Sequence, residues 1–270
     1  MYQDIISGCS TSDSKPIFFR HLNELDYIAI LRNKLQSKQK YITAGIPDEE
    51  ERMKTVIEFG EWSQEKEEAI NNLRLSISDN EKNLPNFVLP FQKEAVKRGI
   101  AKDRKDLLDL LMDRHQVLGT TANELSNQES NAFILYISIY TDVACQQAYF
   151  PTLKACEDVD QMEFESLSED MNKIMERFSE SNIRQLSIMP FFLNSFSYSK
   201  DHLYTFLNKP IISLTSNQLL LFSQGQRNLN ILSQCQGSPP DLSNNVKPND
   251  VLTWYDQQYS IIQGKRNQAR

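Results

Sequence analysis

The clearest pattern of apolar and polar positions lies between Ser63 and Leu118. In the first half of this stretch, apolar residues recur at alternating intervals of three and four, which is the spacing of a coiled-coil face. Ser63 precedes the run as an N-cap, and the acidic residues after it meet the positive end of the helix dipole. The pattern predicts a long helix with its apolar positions at Ile70, Leu73, Ile77 and Leu84.

A second helix is predicted in the second half of the stretch, although Asp103 and Arg114 interrupt its apolar spacing. Pro85 and Pro90 lie between the two halves, and each proline disfavours helix in the residue before it. Two apolar stripes joined by a short loop bury each other most simply as an antiparallel pair. We therefore expect residues 63–118 to form a coiled-coil-like helical hairpin, with second-arm apolar positions at Val96, Ile100, Leu107, Leu110 and Val117.

The hairpin divides the rest of the chain into an N-terminal helical segment, 1–62, and a C-terminal helical subdomain with an aromatic-rich core, 119–270. Apolar residues between Leu22 and Leu35 keep helical spacing and predict an amphipathic helix. Trp62 directly precedes the hairpin, and we expect it to fix the base of the hairpin to the helix before it.

Four other segments carry specific expectations. The serine-rich stretch from Met1 to Ser14 is predicted to be a loosely held terminus. Lys15 to Arg20 is either a short strand or an anchor into the core. Phe133 to Tyr140 is apolar nearly all round, which predicts a buried central helix, with a strand as the alternative. Lys154 to Glu165 is acidic and predicts a surface crossing between subdomains.

Composition favours a mainly α protein. The 270 residues are 40% hydrophobic and 24% charged, which is enough to build a substantial core. Only 8 glycines and 10 prolines are present, fewer than a many-stranded, turn-rich β protein needs. The predicted fold class is therefore mainly α.

Charge and cysteine usage narrow the classes of partner. A formal net charge of -7 gives no support for a surface that binds a phosphate backbone, so nucleic acid is not expected as a partner. The longest apolar run, Ala132 to Tyr140, is far shorter than the ~20 residues of a membrane span. The four cysteines have no metal-type spacing and the chain starts without a signal peptide, so we expect reduced thiols in a cytoplasmic setting.

No pattern in the sequence predicts catalysis. His21, His115 and His202 share no metal-ligand spacing with one another or with cysteines, and we expect each to be a surface or half-buried helix residue. The glycines are isolated and form no phosphate-binding loop, and no nucleophile elbow is present. We therefore assign no catalytic, cofactor-binding or metal-binding residues and expect the protein not to be an enzyme.

Two apolar stretches are candidates for binding a protein partner. One is the loop of the hairpin, because an exposed tip normally carries polar turn residues. The other is an aromatic segment that forms either a second hydrophobic core or an exposed surface for a partner, since aromatic residues concentrate in interfaces. The candidate residues are Phe87, Val88, Leu89 and Phe91 in the loop, and Phe191, Phe192, Phe196, Tyr198, Tyr204 and Phe206 in the aromatic segment.

Several motifs give the chain a resemblance to a known group over most of its length. They are Gly45 to Glu51, Gly60 to Glu65, Gly119 to Glu124, Pro190 to Phe196 and Lys209 to Thr215. In these motifs the chain resembles a group of uncharacterised structural or assembly proteins of T-even-type, contractile-tailed bacteriophages, often marine ones. The resemblance implies a virion component or assembly factor made in the host bacterial cytoplasm, and it carries over no catalytic residues.

The expected function is therefore non-enzymatic protein-protein interaction, as a chaperone-like assembly factor for a phage tail or baseplate. The first alternative is a structural virion subunit incorporated in the particle. The second is an enzyme with an unrecognised site, which would show a concave polar pocket with strongly perturbed carboxylates or histidines.

Overall fold

The computed structural model describes residues 1–84, 87, 89–198, 206–207, 209–235, 237–242 and 246–268, with the backbone alone at 198, 211 and 265–268. Over these residues the fold is mainly α, with 74% helix, 12 α-helices and one small three-stranded sheet, as the composition predicted.

The helices and strands follow one another in this order: α1 Tyr2–Ser7, β1 Cys9–Thr11, β2 Phe18–Arg20, α2 Glu24–Thr43, α3 Glu49–Glu58, α4 Gln64–Asn83, α5 Pro90–Leu118, α6 Ala122–Ser138, β3 Ile139–Tyr140, α7 Leu153–Glu157, α8 Gln161–Arg177, α9 Glu180–Ser187, α10 Pro190–Tyr198, α11 Ser216–Gln234 and α12 Pro248–Gln268. A short 3-10 helix, Ile211–Ser213, precedes α11.

The chain divides into two compact units. Unit 1 contains Met1–Arg32 and Asn131–Arg270, and unit 2 contains Asn33–Ser130. This division differs from the three consecutive segments expected from the sequence, because unit 1 is built from both ends of the chain. The hairpin segment 63–118 lies entirely within unit 2.

The first fourteen residues are held in place, so the prediction of a loosely held terminus is wrong. They form α1 and β1, and β1 pairs with β2 in antiparallel register, with Ser10 opposite Phe19. Ile5 is completely buried, and its carbonyl oxygen accepts a hydrogen bond of 2.7 Å from Gln218 Nε2 in α11. The serines of this segment suggested contact with solvent. Instead, the hydroxyl of Ser12 donates a hydrogen bond to the buried carboxylate of Asp170 in α8.

The central sheet answers two questions that the sequence left open. Lys15 to Arg20 includes strand β2, which also pairs with β3 through Phe19 and Ile139. Phe133 to Tyr140 contains both predicted alternatives. Phe133 to Ser138 belongs to α6, and Ile139 and Tyr140 form β3. Leu135 and Ile139 are buried in the main core of unit 1, where they join residues of α8, α9, α10 and α11.

The acidic stretch from Lys154 to Glu165 lies mostly at the surface, as expected, and it lies within unit 1 rather than at a boundary between the two units. It contains most of α7 and the start of α8, with Cys156 buried in the core of unit 1. Thr152 and Asp160 cap these helices by accepting hydrogen bonds from the amides of Ala155 and Glu163. This stretch therefore contains two closely spaced helix starts, each with its own capping residue.

In unit 2, α4 and α5 pack as an antiparallel pair. Ser76 donates to Asp103 at 2.9 Å, Arg104 pairs with Glu81 at 2.6 Å, and Arg114 pairs with Glu67 at 2.8 Å. From the Arg104–Glu81 pair to the Arg114–Glu67 pair, the partner on α5 advances along the chain while the partner on α4 goes back. Asp103 and Arg114, which interrupt the apolar spacing, both form polar contacts with α4. Supercoiling of the two helices stays a prediction.

A small apolar cluster forms the base of the hairpin. Val56 of α3, Ile70 of α4 and Leu118 of α5 are buried together with Trp62. The indole Nε1 of Trp62 donates a hydrogen bond of 2.9 Å to Glu67. Trp62 therefore connects α3 to the base of the hairpin, as the sequence indicated.

Candidate functional site

The hairpin loop does expose apolar side chains. Leu89 is 47% exposed and Phe91 is 68% exposed, while Phe87 is half-buried. Val88, the fourth candidate, lies outside the described residues. The structure therefore places two of the four loop candidates where a partner could contact them.

The aromatic segment is mostly core. Phe192, Phe196 and Phe206 are buried in unit 1, with ring centroids 6.3 Å apart in the first pair and 5.3 Å apart in the second. These three side chains are therefore not exposed to a partner. They are core residues, as the other interpretation held, but they belong to the main core of unit 1 rather than to a second core. Phe191 is exposed. Tyr204 and the side chain of Tyr198 lie outside what the structure describes.

A larger exposed apolar surface lies on α2. Leu25, Ile28, Leu31 and Leu35, which we call the α2 stripe, are each between 53% and 58% exposed. Because an α-helix turns by about 100° per residue, Ile28, Leu31 and Leu35 fall within about 60° of one another on this continuous helix. A row of large apolar side chains this exposed is typical of an interaction surface rather than of scattered surface residues.

The buried side of α2 is polar. Ser37 is the one fully buried residue of this helix, every residue of which is described, and it lies on the side opposite the stripe. Asp26 also faces inward and forms a two-pronged pair with Arg20 at 2.8 and 2.9 Å. The sequence predicted an amphipathic helix here, but the spacing alone does not say which side faces solvent. The helix is amphipathic with its apolar side outward.

Charge is distributed unevenly along α2. Glu24 and Asp26 lie in the first turn, whereas the basic residues Arg32, Lys34, Lys38 and Lys40 lie from the middle of the helix onward. Several of these charges are paired within the chain, since Asp26 pairs with Arg20, Lys38 with Asp48 and Lys40 with Glu129. Glu24 at the start and Arg32 and Lys34 near the middle lie outside these pairs.

A second candidate site is a cavity of about 250 Å³ inside unit 1. Its wall is mainly apolar and includes Phe19, Ile134, Met171, Ile174 and Phe178. The partly exposed side chains of Tyr27 and Met175 mark its outer end. Apolar cavities with a few polar groups are the usual form of small-molecule sites in proteins. We call this space the His21 cavity.

Three residues that line the His21 cavity carry unsatisfied polar atoms. Arg20 Nε, His21 Nδ1 and Ser138 Oγ are buried and have no hydrogen-bond partner within the described parts of the chain. His21 is 6% exposed and Ser138 is 2% exposed. Because buried polar groups are nearly always hydrogen-bonded, three such atoms on residues that line this cavity point to a missing partner. Arg20 and His21 also line a second cavity, of about 280 Å³.

The hydrogen bonds of His21 determine its tautomer. Ser10 Oγ lies 3.1 Å from Asp4 Oδ2 and 2.9 Å from His21 Nε2. The carboxylate of Asp4 can only accept, so the single hydroxyl proton of Ser10 goes to Asp4. Nε2 must then carry the proton that it donates to Ser10. His21 Nδ1 is therefore an acceptor with a free lone pair.

Burial keeps His21 uncharged at neutral pH. Loss of solvent contact lowers the pKa of His21 to about 4, and the positive charges of Arg177 and Lys209 act in the same direction. The carboxylate of Asp4 opposes them. His21 therefore differs from the expectation of a surface or half-buried helix residue: it is buried and follows β2. His115 is an exposed residue of α5, and His202 lies outside the described residues.

Cys9 and Cys145 form a thiol pair that spacing in the sequence could not reveal. Their sulfur atoms lie 3.2 Å apart although 136 positions separate them in the chain. When Cys145 ionises, the hydrogen bond from Cys9 stabilises the thiolate, and together with the charges of Arg20 and Lys209 it lowers the pKa of Cys145. The pKa of Cys9 is raised, first by the same hydrogen bond and then by burial.

We expect the substitution Cys9→Ala to make Cys145 less reactive. Without the thiol donor the pKa of Cys145 rises, so less thiolate is present at pH 7 and alkylation by iodoacetamide slows several-fold. The pH at which the rate is half-maximal should move upward. Alkylation at each cysteine is followed by mass spectrometry, with Cys235 as the internal control whose rate should not change. An unchanged Cys145 profile would show that the thiols do not interact.

Comparisons with known proteins add no relative: no protein-family model, curated protein or solved structure matches this chain.

None of the helices described is long and apolar enough to span a membrane. No cluster of three or more histidine, cysteine, aspartate or glutamate side chains suited to a metal ion occurs in this part of the chain.

Proposed function

We propose that this chain is a non-enzymatic protein that works by association, as a chaperone-like assembly factor for a bacteriophage tail or baseplate in the host bacterial cytoplasm. The observation that carries association is the α2 stripe, because a helix that turns its apolar side to solvent and its polar side inward is built to be covered. The phage context is supported by the sequence resemblance described above. The exposed Leu89 and Phe91 add a second contact surface for a tail or baseplate protein.

The partner that best fits the α2 stripe is the same stripe on a second copy of this chain. In an antiparallel pair of α2 helices centred on the stripe, Glu24 of each helix lies toward the basic residues Arg32 and Lys34 of the other, and the apolar positions meet between them. Complementary charges beside an apolar contact set orientation and register. Burying an exposed leucine or isoleucine contributes about 1.5–3 kcal/mol, so several such residues from both copies supply a meaningful gain.

We expect Leu31→Asp to abolish self-association. The substitution places a carboxylate at the centre of the stripe, where pairing would bury it next to its symmetry mate. Since Leu31 is exposed in the single chain, the stability of the fold should change by no more than about 0.5 kcal/mol. Light scattering coupled to size-exclusion chromatography should give a dimer for the wild type and a monomer for the variant.

The matched control is Ala29→Asp, which adds the same charge to the same helix at an exposed position outside the stripe. It should leave the dimer intact. A monomeric wild type at high protein concentration would exclude self-pairing, and equal weakening by both substitutions would show that added charge, rather than the stripe, is responsible.

The assembly role is tested in infected cells. Affinity purification of the chain during infection should recover tail or baseplate proteins, and substitution of Leu89 and Phe91 by serine should reduce that recovery. Recovery of no virion or assembly protein would contradict the proposal.

The second candidate function is a structural virion subunit, and pairing of the α2 stripe with a second copy favours it, because self-association is a property of building blocks. Mass spectrometry of purified particles separates the two functions. A structural subunit is present in the particle, whereas an assembly factor is absent from it.

The alternative of an unrecognised enzyme has one feature in its favour, the His21 cavity. The chemistry of that cavity suits binding better than catalysis. A histidine with a pKa of about 4 is a weak base near neutral pH and cannot hold a proton there for transfer. The hydroxyl of Ser10 is committed to Asp4 and to His21.

A further inference from the structure

We propose that the His21 cavity binds a small, uncharged molecule in which an aromatic body carries a hydroxyl group. The proposal is independent of the assembly function and rests on the cavity itself. Its size, its polar atoms and its wall each restrict the ligand in a different way.

Size restricts the ligand to about ten non-hydrogen atoms. An apolar cavity of about 150 Å³ accommodates benzene, and the His21 cavity at about 250 Å³ is correspondingly larger. A single substituted aromatic ring fits this volume. The volume is too small to enclose a whole nucleotide, peptide or lipid chain.

The unsatisfied atoms require a ligand that both donates and accepts hydrogen bonds. His21 Nδ1 needs a donor because its lone pair is free, and Arg20 Nε needs an acceptor because it carries a hydrogen. Ser138 Oγ can serve either role. A hydroxyl group supplies one donor and two acceptor lone pairs, which matches this set of atoms.

Charge excludes ionised ligands. The guanidinium of Arg20 already has a carboxylate partner in Asp26, so a second anion would lack a counter-ion. A carboxylate would also place its lone pairs against that of His21 Nδ1. A cationic ligand would lie close to Arg20, and no acidic side chain is among the residues that line the cavity. A neutral ligand avoids each of these costs.

The wall favours an aromatic body over an aliphatic one. Phe178 already packs edge-on against His21, with ring centroids 4.5 Å apart and planes inclined at 62°. Met171 and Met175 place polarisable thioether sulfurs around the same space, and such sulfurs contact aromatic rings favourably. A ligand ring therefore meets both ring edges and sulfur atoms.

The test compares three para-substituted ethylbenzenes on the full chain: 4-ethylphenol, 4-ethyltoluene of the same shape, and the larger, anionic 4-ethylbenzoate. The methyl groups of the methionines are labelled with carbon-13 and followed by NMR during titration at pH 7. Met171 and Met175 report on the cavity, and Met162, which is exposed on the same helix α8, is the control. We expect saturable shifts at the first two with 4-ethylphenol, and binding weaker by about tenfold for 4-ethyltoluene, because the methyl group leaves the polar atoms unsatisfied.

A matched pair of variants tests the polar contact. Ser138→Ala should weaken 4-ethylphenol several-fold, while Ser130→Ala, an equally buried serine of α6 outside the cavity, should not. Three results would overturn the proposal: no saturable shift with 4-ethylphenol, binding of 4-ethyltoluene or 4-ethylbenzoate as tight as that of 4-ethylphenol, or shifts at Met162 as large as those at Met171 and Met175. The titrations of the wild-type protein test the proposed binding even if a variant fails to fold.

Discussion

Substitution of Gly225 by alanine is expected to destabilise the protein by about 3 kcal/mol or more. A Cβ atom at this position in α11 would lie 2.2 Å from Cε2 and 2.5 Å from Cγ of the Phe196 ring. The ring is completely buried and lies between Phe192 and Phe206, so it has no free space into which to move. Overpacking of this kind costs typically about 1–3 kcal/mol and more where the neighbour is fixed.

Helix propensity alone predicts that Gly225→Ala stabilises the protein, so the substitution separates the effect of packing from that of propensity. Alanine is about 1 kcal/mol better than glycine inside a helix, and that gain should appear only where space allows it. Gly99 of α5 is the matched control, because no atom lies within 4 Å of a Cβ built there. Urea unfolding should show Gly99→Ala stabilised and Gly225→Ala strongly destabilised. Equal effects at both sites would mean that Phe196 does not pack on α11 as described.

Substitution of His21 by glutamine is expected to remove much of the loss of stability in acid. The pKa of His21 is about 4 in the folded chain and 6.5 in the ordinary, solvated state. Between these values the unfolded chain binds a proton that the folded chain does not. Stability is therefore fully present above pH 6.5 and falls as the pH decreases toward 4, by about 3 kcal/mol in total.

Glutamine keeps a side-chain amide that can donate to Ser10 but does not titrate. Relative to the wild type, His21→Gln should show a flatter decline of the unfolding free energy between pH 6.5 and 4, measured by urea unfolding at several pH values. Carboxylates with lowered pKa values, such as Asp170, contribute a decline of their own in both proteins. His115→Gln is the control, because His115 is exposed, and its pH profile should match that of the wild type.

The local pattern predicted two helices that pack on each other, as α4 and α5 do, while the coiled-coil character of the pair stays a prediction. Residues three and four apart share a helix side, so the spacing of Ile70, Leu73 and Ile77 carries the information for the pair. The interruptions at Asp103 and Arg114 looked like weaknesses in the apolar pattern. Their carboxylate and guanidinium partners lie on the other helix, and single-helix spacing contains no information about such partners.

The orientation of α2 and the position of residues 1–14 could not be predicted in the same way. An apolar stripe normally faces the core, and only the tertiary structure shows that Ile28 and Leu31 face solvent. The early serines look like solvated residues in sequence, but Ser12 meets Asp170, which lies 158 positions later. Contacts over such distances leave no local periodicity.

The candidate sites also differ in whether local sequence patterns predict them. Leu89 and Phe91 became candidates because they lie in an apolar loop, which is a local feature. The His21 cavity instead combines residues from β2, α2, α6 and α8, and its distinctive property is a set of atoms without partners. No spacing rule reports unsatisfied atoms, so His21 looked like an ordinary helix residue.

The distribution of unit 1 over both ends of the chain has a consequence for synthesis on the ribosome. Residues 33–130 are contiguous, so all of the partners within unit 2 have been made once Ser130 emerges. By contrast, Ile5 has to wait for Gln218, and Ser12 for Asp170, before either contact can form. Translation therefore favours an order in which unit 2 folds while the chain is still growing and the earliest-made strand, β1, is among the last elements to reach its place.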